Sequence, residues 1–295
     1  MFKKIPHFIC AFAAISSAVF AEEPAASKRL PEVDVIGHPT SEETPVGETQ
    51  RPEWTTARRF PGARVYIQQE PWEVGVEQWW RVHHNRDGSF SHRLLEEIEI
   101  GLPWRFQLDL YGQIEGDDHK DFHYQSTDIE LRWALADWNK IWGNPTLYAE
   151  YKFADEHWGP DVYELKLLLG GDLAPRWHWA LNFVWEAETG GEREQEFQIT
   201  SGLSYSLIDS KVGIGLETKY DRDSVRGQRG EPDDIFLIGP SVQFRLTDRL
   251  HLDISCLWGA NNVSPRQEGF VVVGYDFGKI GGNESRYIPT SGLGR

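Results

Sequence analysis

Between Trp72 and Gly278 the chain repeats one pattern about a dozen times. In each copy, roughly ten residues alternate between apolar and polar side chains before a turn ends the run. The clearest copy is Phe106–Glu115, FQLDLYGQIE. A period of two predicts a strand with one apolar and one polar face. Strands of ~9–11 residues are long enough to cross a bilayer when tilted. The pattern therefore predicts an all-β fold, a transmembrane antiparallel up-and-down β-barrel.

The first residues have the composition of an export signal. Lys3 and Lys4 precede a mostly apolar stretch, Ile5–Phe20, and Val19–Ala21 before Glu22 has small residues at the usual positions of a cleavage site. A basic start, a short apolar region and a small-residue cleavage site are typical of a secretory signal peptide. We therefore predict that residues 1–21 are removed near Ala21 and that the mature chain resides in the outer membrane of a Gram-negative-type bacterium.

Charge and hydropathy exclude several classes of protein. The formal net charge is −16, and it becomes −18 when Lys3 and Lys4 leave with the signal peptide. Because nucleic-acid binding requires a basic face, we expect no nucleic-acid partner. The mean hydropathy of −0.50 argues against a helical membrane protein. It is compatible with a barrel, in which only alternate residues of each strand meet lipid.

The alternating pattern divides into twelve predicted strands, an even number, as bacterial single-chain barrels prefer. They are predicted at 73–83, 91–102, 105–116, 123–136, 145–154, 161–171, 176–187, 195–207, 211–221, 234–246, 249–259 and 269–278. Short connections such as Leu102–Trp104 alternate with longer, more polar ones such as Gly116–Phe122 and Arg222–Asp233. Short turns of such barrels lie in the periplasm and long loops outside, so both ends of the barrel are predicted to be periplasmic.

The rest of the mature chain lacks this pattern. Residues 22–71 are rich in Pro, Glu and Thr and have no sustained period, which predicts a disordered periplasmic segment that acts as a linker. Residues 72–278 form the predicted barrel. Residues 279–295 are Gly-rich and are predicted to be a periplasmic C-terminal tail.

Tryptophan is frequent, with 13 residues, and several lie beside the predicted short turns. Trp104, Trp138, Trp142 and Trp177 are predicted to form an aromatic girdle, because an amphipathic ring is stable at the depth of the lipid headgroups. The alternative is that they are core aromatics of a soluble β-protein.

The polar faces of the strands carry more acidic than basic side chains. An acidic, water-filled lumen favours cations. The sequence also allows a closed interior, in which opposite charges such as those of Glu130, Arg132, Glu150 and Lys152 pair across strands and fill the lumen. The residues predicted to line the lumen are Glu97, Glu99, Asp109, Asp128, Glu130, Arg132, Glu150, Lys152, Glu164, Lys166, Glu217, Lys219 and Asp253.

One predicted loop, DDHKDFH, combines imidazole and carboxylate groups. Its His119 and His123, with Asp117 and Asp121, are candidate ligands for a divalent transition metal. The alternative is a solvated acidic loop with incidental histidines. The sequence has no phosphate loop, Rossmann fingerprint or Cys-based metal spacing, so we expect no other cofactor.

The layout of the hairpins resembles a broad group of uncharacterised bacterial outer-membrane barrels, some of which are described as transporters. The resembling segments are Gly101–Gly112, GLPWRFQLDLYG; Leu246–Ile254, LTDRLHLDI; and the final aromatic strand Gly269–Phe277, GFVVVGYDF. That final strand is similar to the signal read by the barrel-assembly machinery. The resemblance implies this machinery and outer-membrane lipid as partners.

A second resemblance lies in the predicted linker. Leu30–His38, LPEVDVIGH, resembles the TonB box of energised outer-membrane receptors, a short peptide that adds as a strand to an energy-coupling protein. The resemblance implies that Glu32, Val33, Asp34 and Val35 make this contact. The alternative is a disordered tether without a partner.

An enzymatic barrel is the third functional class. Outer-membrane lipid hydrolases resemble this chain in size and place a Ser–His pair at the outer rim. Ser91 and His92 occupy such a region, but neighbours in a strand face opposite sides. We therefore predict that the protein is not an enzyme. We predict an outer-membrane channel or transporter for small solutes that prefers cations; the alternatives are a structural or surface-interaction barrel with a closed, charge-packed lumen, and a lipid hydrolase.

Overall fold

Twelve antiparallel strands close into a barrel in the computed structural model, which describes residues 41–118 and 120–279. Each predicted strand is present, with ends within three residues of the prediction, so the predicted all-β barrel is confirmed. Two short strands precede it. The strands are β1 (Pro45–Val46), β2 (Arg51–Pro52), β3 (Glu73–His84), β4 (Phe90–Leu102), β5 (Phe106–Asp117), β6 (Lys120–Ala134), β7 (Thr146–Ala154), β8 (Val162–Ala174), β9 (Trp177–Glu188), β10 (Gln195–Ile208), β11 (Val212–Ser224), β12 (Asp233–Arg245), β13 (Leu250–Gly259) and β14 (Gln267–Lys279).

Each barrel strand pairs with its neighbours in the sequence, and β14 pairs with β3 to close the sheet. Closure leaves no strand edge unpaired, which a sheet in lipid requires because no water is present to hydrogen-bond the backbone. The barrel begins and ends at one rim, together with turns such as 175–176 and 209–211. We call this rim the turn end and the opposite rim the loop end.

The connections follow the predicted alternation with one difference. Gly116–Phe122 was predicted to be a long loop, but β5 runs to Asp117 and β6 begins at Lys120. The two strands therefore continue beyond the expected rim. Pairing of Asp117 with Lys120 satisfies backbone groups that a loop would expose to water.

The barrel is polar inside and apolar outside. On β5, Gln107 and Asp109 are buried, whereas Leu110 is exposed. Leu131 and Leu165 are exposed on the same outer surface. A soluble sandwich would bury these apolar side chains, so the exposed apolar surface fits a lipid environment.

In the part of the chain that the structure describes, three short 3₁₀ helices lie outside the strands, at Ser41–Glu43, Glu53–Thr56 and Pro103–Arg105. Among residues 41–118 and 120–279, no helix combines the length and the apolar character needed to cross a membrane.

The barrel interior is occupied by the start of the described chain. Residues 41–72, which we call the plug segment, enter the barrel at the turn end and reach the wall near the middle of the strands. The predicted linker 22–71 differs from the structure here: residues 22–40 lie outside the described residues, whereas residues 41–71 are folded inside the barrel. No periodicity is needed in this segment, because side chains of the wall hydrogen-bond its irregular backbone.

Candidate functional site

The plug segment begins with hydrogen bonds at the turn end. The backbone N–H of Ser41 donates to Asp209 in the turn between β10 and β11, at 2.8 Å, and its hydroxyl donates to the same carboxylate at 3.0 Å. The carboxylate of Glu42 accepts from Arg59 at 2.8 Å and lies 3.0 Å from His178 Nε2. These contacts join the start of the segment to the wall and to its own interior.

Aromatic packing fixes the next part. Trp54 is 1% exposed, stacks on His178 with ring centroids 4.4 Å apart, and donates its indole N–H to Asp172 at 2.8 Å. The ring of Trp138 meets Trp54 edge-on at 5.8 Å and Tyr66 at 5.3 Å. The turn-end part of the lumen is therefore closed by a small aromatic core.

Trp138 corrects one part of the predicted girdle. It is 6% exposed and packs on the plug segment, whereas Trp104, Trp142 and Trp177 are 82%, 81% and 41% exposed. The physical reason is the length of the connection 135–145, which lets the chain fold back over the turn end. Proximity to a short turn could not distinguish an outward ring from one that covers the plug.

The tip of the plug segment is held by polar side chains of the wall. The amide group of Asn182 accepts from the backbone N–H of Arg64 and donates to its carbonyl oxygen, both at 2.8 Å. The N–H of Gly62 donates to Glu217 at 2.6 Å. Gln107 accepts from two further backbone N–H groups of the segment, at 2.7 and 3.1 Å. These contacts replace the ladder hydrogen bonds that a regular strand would make.

Five wall carboxylates surround this tip; we call Glu77, Glu97, Glu99, Asp109 and Glu130 the acidic layer. All five are buried. One oxygen from each of Glu77, Glu97 and Glu99 forms a group in which the atoms lie within 4.8 Å of one another, and Glu97, Asp109 and Glu130 form a second such group.

Three guanidinium groups offset part of the charge of the acidic layer. Arg132 of the wall contacts Asp109 at 2.5 Å and Glu97 at 3.5 Å. The other two belong to the plug segment: Arg58 lies 2.6 Å from a Glu77 oxygen, and Arg64 lies 2.8 Å from Glu97. Two of these three guanidinium groups therefore come from the plug segment, and the wall adds His251, whose Nε2 lies 3.5 Å from Glu77.

A cavity of about 690 Å³ lies between the acidic layer and the loop end. Its floor is made by the plug segment, through Arg58, Gly62 and Arg64. Its mouth is narrowed by the loop 260–266, where Arg86 donates to the Ser264 carbonyl oxygen at 2.9 Å. The lumen is thus accessible from the loop end and blocked by the plug segment.

The thirteen side chains predicted to line the lumen all lie on the interior side of the barrel. Those nearer the loop end contact the cavity, whereas the members of the acidic layer are covered by the plug segment. Eleven are buried and two, Lys152 and Lys166, are partly exposed; the buried ones are Glu97, Glu99, Asp109, Asp128, Glu130, Arg132, Glu150, Glu164, Glu217, Lys219 and Asp253.

Sequence reasoning missed Arg58 and Arg64, the wall carboxylate Glu77, and Trp79 beside them. One signal could have found the plug. Between positions 51 and 64 the chain has four arginines and one acidic residue, although the whole chain carries a net charge of −16. A basic segment before an acidic barrel predicts that the two associate.

The predicted metal ligands are only partly described. His119 lies outside the described residues, and His123 stacks on Trp158 with ring centroids 3.6 Å apart. Asp117 and Asp121 lie at the loop end, on β5 and β6. The metal site stays a prediction. The TonB-box-like residues Glu32, Val33, Asp34 and Val35, the signal peptide 1–21 and residues 280–295 also lie outside the described residues.

The predicted Ser–His neighbours do not form a pair. Ser91 lies opposite His83 in the β3–β4 ladder, and His92 lies opposite Val82. The ring of His92 accepts from Trp80 Nε1 at 3.3 Å, and Trp80 is exposed on the outer surface. Ser91 and His92 therefore face opposite sides of the sheet, as expected for neighbours in a strand.

Comparison with known proteins gives the fold a wider context. A family model named for the MetA pathway of phenol degradation matches residues 150–277, which is less than half of the chain. This match covers β8–β14 and the end of β7, and it leaves out the plug segment and the acidic layer. No curated protein matches the chain.

Solved structures match more of the chain. An outer membrane channel from Pseudomonas putida F1 has 9% identity and a TM-score of 0.56 over 72% of this chain and 98% of that one. The NanC porin has 11% identity and a TM-score of 0.48, over 68% of this chain and 97% of that one. The KdgM porin has 11% identity and a TM-score of 0.47, over 69% and 99%. The first of these likenesses shows that the chain has the fold of an outer-membrane β-barrel.

Proposed function

We propose that the protein is an outer-membrane channel for small solutes, closed on its periplasmic side by the plug segment. The observation that carries this proposal is the floor of the 690 Å³ cavity, which belongs to the plug segment and not to the barrel wall. A path through the barrel therefore needs movement of one segment and no change in the β-ladder. The turn end faces the periplasm, because short turns and both barrel ends lie there.

The contacts of the plug segment suit reversible closure. Much of its interface consists of hydrogen bonds and ion pairs, such as those of Arg64 with Asn182 and Glu97. Replacing buried ion pairs by packed apolar residues is often neutral or stabilising, so such pairs are a weak route to permanent closure. Water and ions can replace these partners when the segment leaves.

The acidic layer supports a preference for cations. The wall contributes five carboxylates there, with Arg132 among them. When the plug segment withdraws, Arg58 and Arg64 leave with it, and the layer gains net negative charge. A ring of carboxylates in a low-dielectric channel attracts cations and repels anions.

Withdrawal can be driven from the chain upstream of the plug segment. The TonB-box-like residues 32–35 precede Ser41 by a few positions. We propose that an energy-coupling protein pulls on this peptide, which adds to it as a strand. Barrel-assembly machinery and outer-membrane lipid are the other proposed partners, and no enzymatic activity is part of the proposal.

A closed structural barrel is the competing function, and the buried aromatic core of Trp54, Tyr66 and Trp138 favours it. Planar-bilayer recordings of the full mature chain in a KCl gradient separate the two. We expect discrete current steps and a reversal potential on the cation side. Openings should last longer in Gly202→Leu, because the added side chain meets Phe60 and is expected to displace the plug segment. Absence of current in both proteins, or a reversal potential on the anion side, would overturn the proposal.

A further inference from the structure

Arg58 of the plug segment occupies a well-formed site on the barrel wall. Its guanidinium carbon lies 3.9 Å from the centroid of the Trp79 ring. Its Nε and Nη2 atoms donate to the same Glu77 oxygen at 3.0 and 2.6 Å, and Glu97 lies 3.9 Å away. An aromatic face combined with carboxylates is the arrangement that binds guanidinium and ammonium groups.

Arg64 occupies the other half of the same site. Its Nη2 atom contacts both Glu97 oxygens, at 2.8 and 2.9 Å, and the Tyr111 hydroxyl at 3.2 Å. Its guanidinium carbon is 5.5 Å from the Trp79 centroid. Trp79 itself is positioned by its indole N–H, which donates to Glu97 at 3.0 Å.

An apolar surface adjoins this site toward the loop end. Leu237, Leu257 and Phe270 form a buried cluster on the wall, and Trp79 packs against it. Leu237 and Phe270 also line the cavity above the plug segment. Once the plug segment withdraws, a molecule in the cavity can therefore contact apolar side chains and the carboxylates of Glu77 and Glu97 at the same time.

We propose that Glu77, Glu97, Trp79 and Tyr111 form a binding site for amphiphilic organic cations. The preferred ligand carries a guanidinium or ammonium group on an apolar body. In the closed protein, Arg58 and Arg64 occupy this site as its intramolecular ligands. A solute cation that reaches the site competes with them and favours release of the plug segment.

Charge balance explains why the site requires a cation when the plug segment leaves. Glu77 and Glu97 are each about 1% to 2% exposed and lie in one group of carboxylates. Buried carboxylates without counter-ions are costly, so a cation that takes the place of the two arginines stabilises the layer more than water alone does. The planar fork of a guanidinium matches a carboxylate better than a spherical ion does, and it also stacks on an indole. The inference rests on the proposed channel function and specifies the class of solute.

Calorimetric titration of the detergent-solubilised full mature chain with benzylguanidinium tests the site. We compare the wild type with Arg58→Gln/Arg64→Gln and with the triple variant that adds Glu97→Gln. Arg249→Gln, an exposed turn-end substitution of the same kind, is the matched control. Heat-dependent migration on gels checks that each barrel is folded.

Removal of the intramolecular ligands should strengthen binding, because a site that is open only part of the time binds with an affinity reduced by that fraction. We expect the double variant to bind benzylguanidinium about tenfold or more tightly than the wild type. The control should match the wild type, and Glu97→Gln should remove the gain. If the double Gln variant does not fold, Arg58→Lys/Arg64→Lys replaces it. This variant keeps the charges but loses the planar guanidinium groups, so its affinity for benzylguanidinium should rise by less.

Three results would overturn the site. They are no binding by a folded double variant, equal binding of benzoate, and binding that Glu97→Gln leaves unchanged. The reversal potential in KCl distinguishes this failure from failure of the channel function. A cation-selective current without benzylguanidinium binding rejects only the organic-cation site, whereas absence of current rejects the channel.

Discussion

Glu42 connects the start of the plug segment to His178 of the wall and to Arg59 within the segment. Burial alone would raise the pKa of its carboxyl group. Hydrogen bonds and charge from His178, Arg59 and Ser206 outweigh burial and hold the pKa at about 2, below the ordinary value of 4.5. A carboxylate with a lowered pKa stabilises the docked segment above pH 4.5, and this stabilisation is lost as the pH falls toward about 2.

Acid should therefore open the channel through Glu42. We expect the open fraction in bilayer recordings to rise as the pH falls from 4.5 toward 2. Glu42→Gln should raise the open fraction already at neutral pH and should weaken the acid response. An acid response of wild-type size in Glu42→Gln would contradict this role.

Glu53 is the control for this prediction. Burial raises the pKa of Glu53, and the nearby carboxylates of Asp209 and Asp248 act in the same direction, against the lowering effect of Arg245. A raised pKa means that protonation favours the docked segment, so this group acts in the opposite sense to Glu42. Glu53→Gln should not open the channel at neutral pH.

Trp138 and Trp142 provide a second test at the residue scale, since the two rings are four positions apart in one connection. Trp138 is buried against Trp54 and Tyr66, whereas Trp142 is 81% exposed. Truncating a buried Trp to Ala commonly costs about 3–5 kcal/mol. We expect Trp138→Ala, but not Trp142→Ala, to let trypsin cleave the plug segment after Arg58 and Arg59. Equal cleavage of the two variants would show that Trp138 does not help to hold the plug segment in the barrel.

Close packing between strand β10 and the plug segment gives a prediction at the scale of elements. A Cβ atom added at Gly202 would lie 2.9 Å from Phe60 Cγ, too close for both groups to remain in place. We expect Gly202→Leu to displace the plug segment while the barrel stays folded, measured by protease cleavage and by heat-dependent migration on gels.

Two further variants test that this effect comes from the contact with Phe60. Phe60→Ala in the Gly202→Leu background should restore protection, because it removes the clash. Gly112→Leu changes a glycine whose added Cβ would meet nothing within 4 Å, so it should behave as the wild type. If Phe60→Ala does not restore protection, Gly202→Leu exposes the plug segment by changing the barrel wall and not through its contact with Phe60.

The strands were predictable because each carries its own signal. Phe106–Asp117 alternates throughout, and the barrel places its polar side chains inside and its apolar ones outside. The plug segment has no such signal, because its conformation depends on partners distant in sequence. The backbone of Arg64, for example, is fixed by Asn182 in β9.

The candidate site was predictable only in part, for the same reason. Glu97 and Asp109 could be placed on an interior face by counting along a strand. The partners of these residues could not, because Arg58 and Arg64 lie in a segment without a period. Local composition could have predicted part of this pairing, because four arginines lie between positions 51 and 64 of an otherwise acidic chain.

At the scale of the whole molecule, the barrel and the plug segment have separate tasks. The closed ladder with its apolar exterior fixes the barrel in a bilayer, and it does not require the plug segment for its backbone hydrogen bonds. The plug segment supplies the aromatic closure, two arginines for the acidic layer, and the floor of the cavity. Opening is then a change of one segment within a constant barrel.

A disulfide between the plug segment and the wall tests this central claim most directly. The 2.9 Å from a Cβ at Gly202 to Phe60 Cγ matches the ~3 Å between the Cβ of one half-cystine and the sulfur of the other. We would record Phe60→Cys/Gly202→Cys in a Cys256→Ser background, first oxidised and then after reduction in the same bilayer. The account predicts no current while the disulfide is intact and cation-selective current after reduction. Equal current in the oxidised and reduced protein would contradict it.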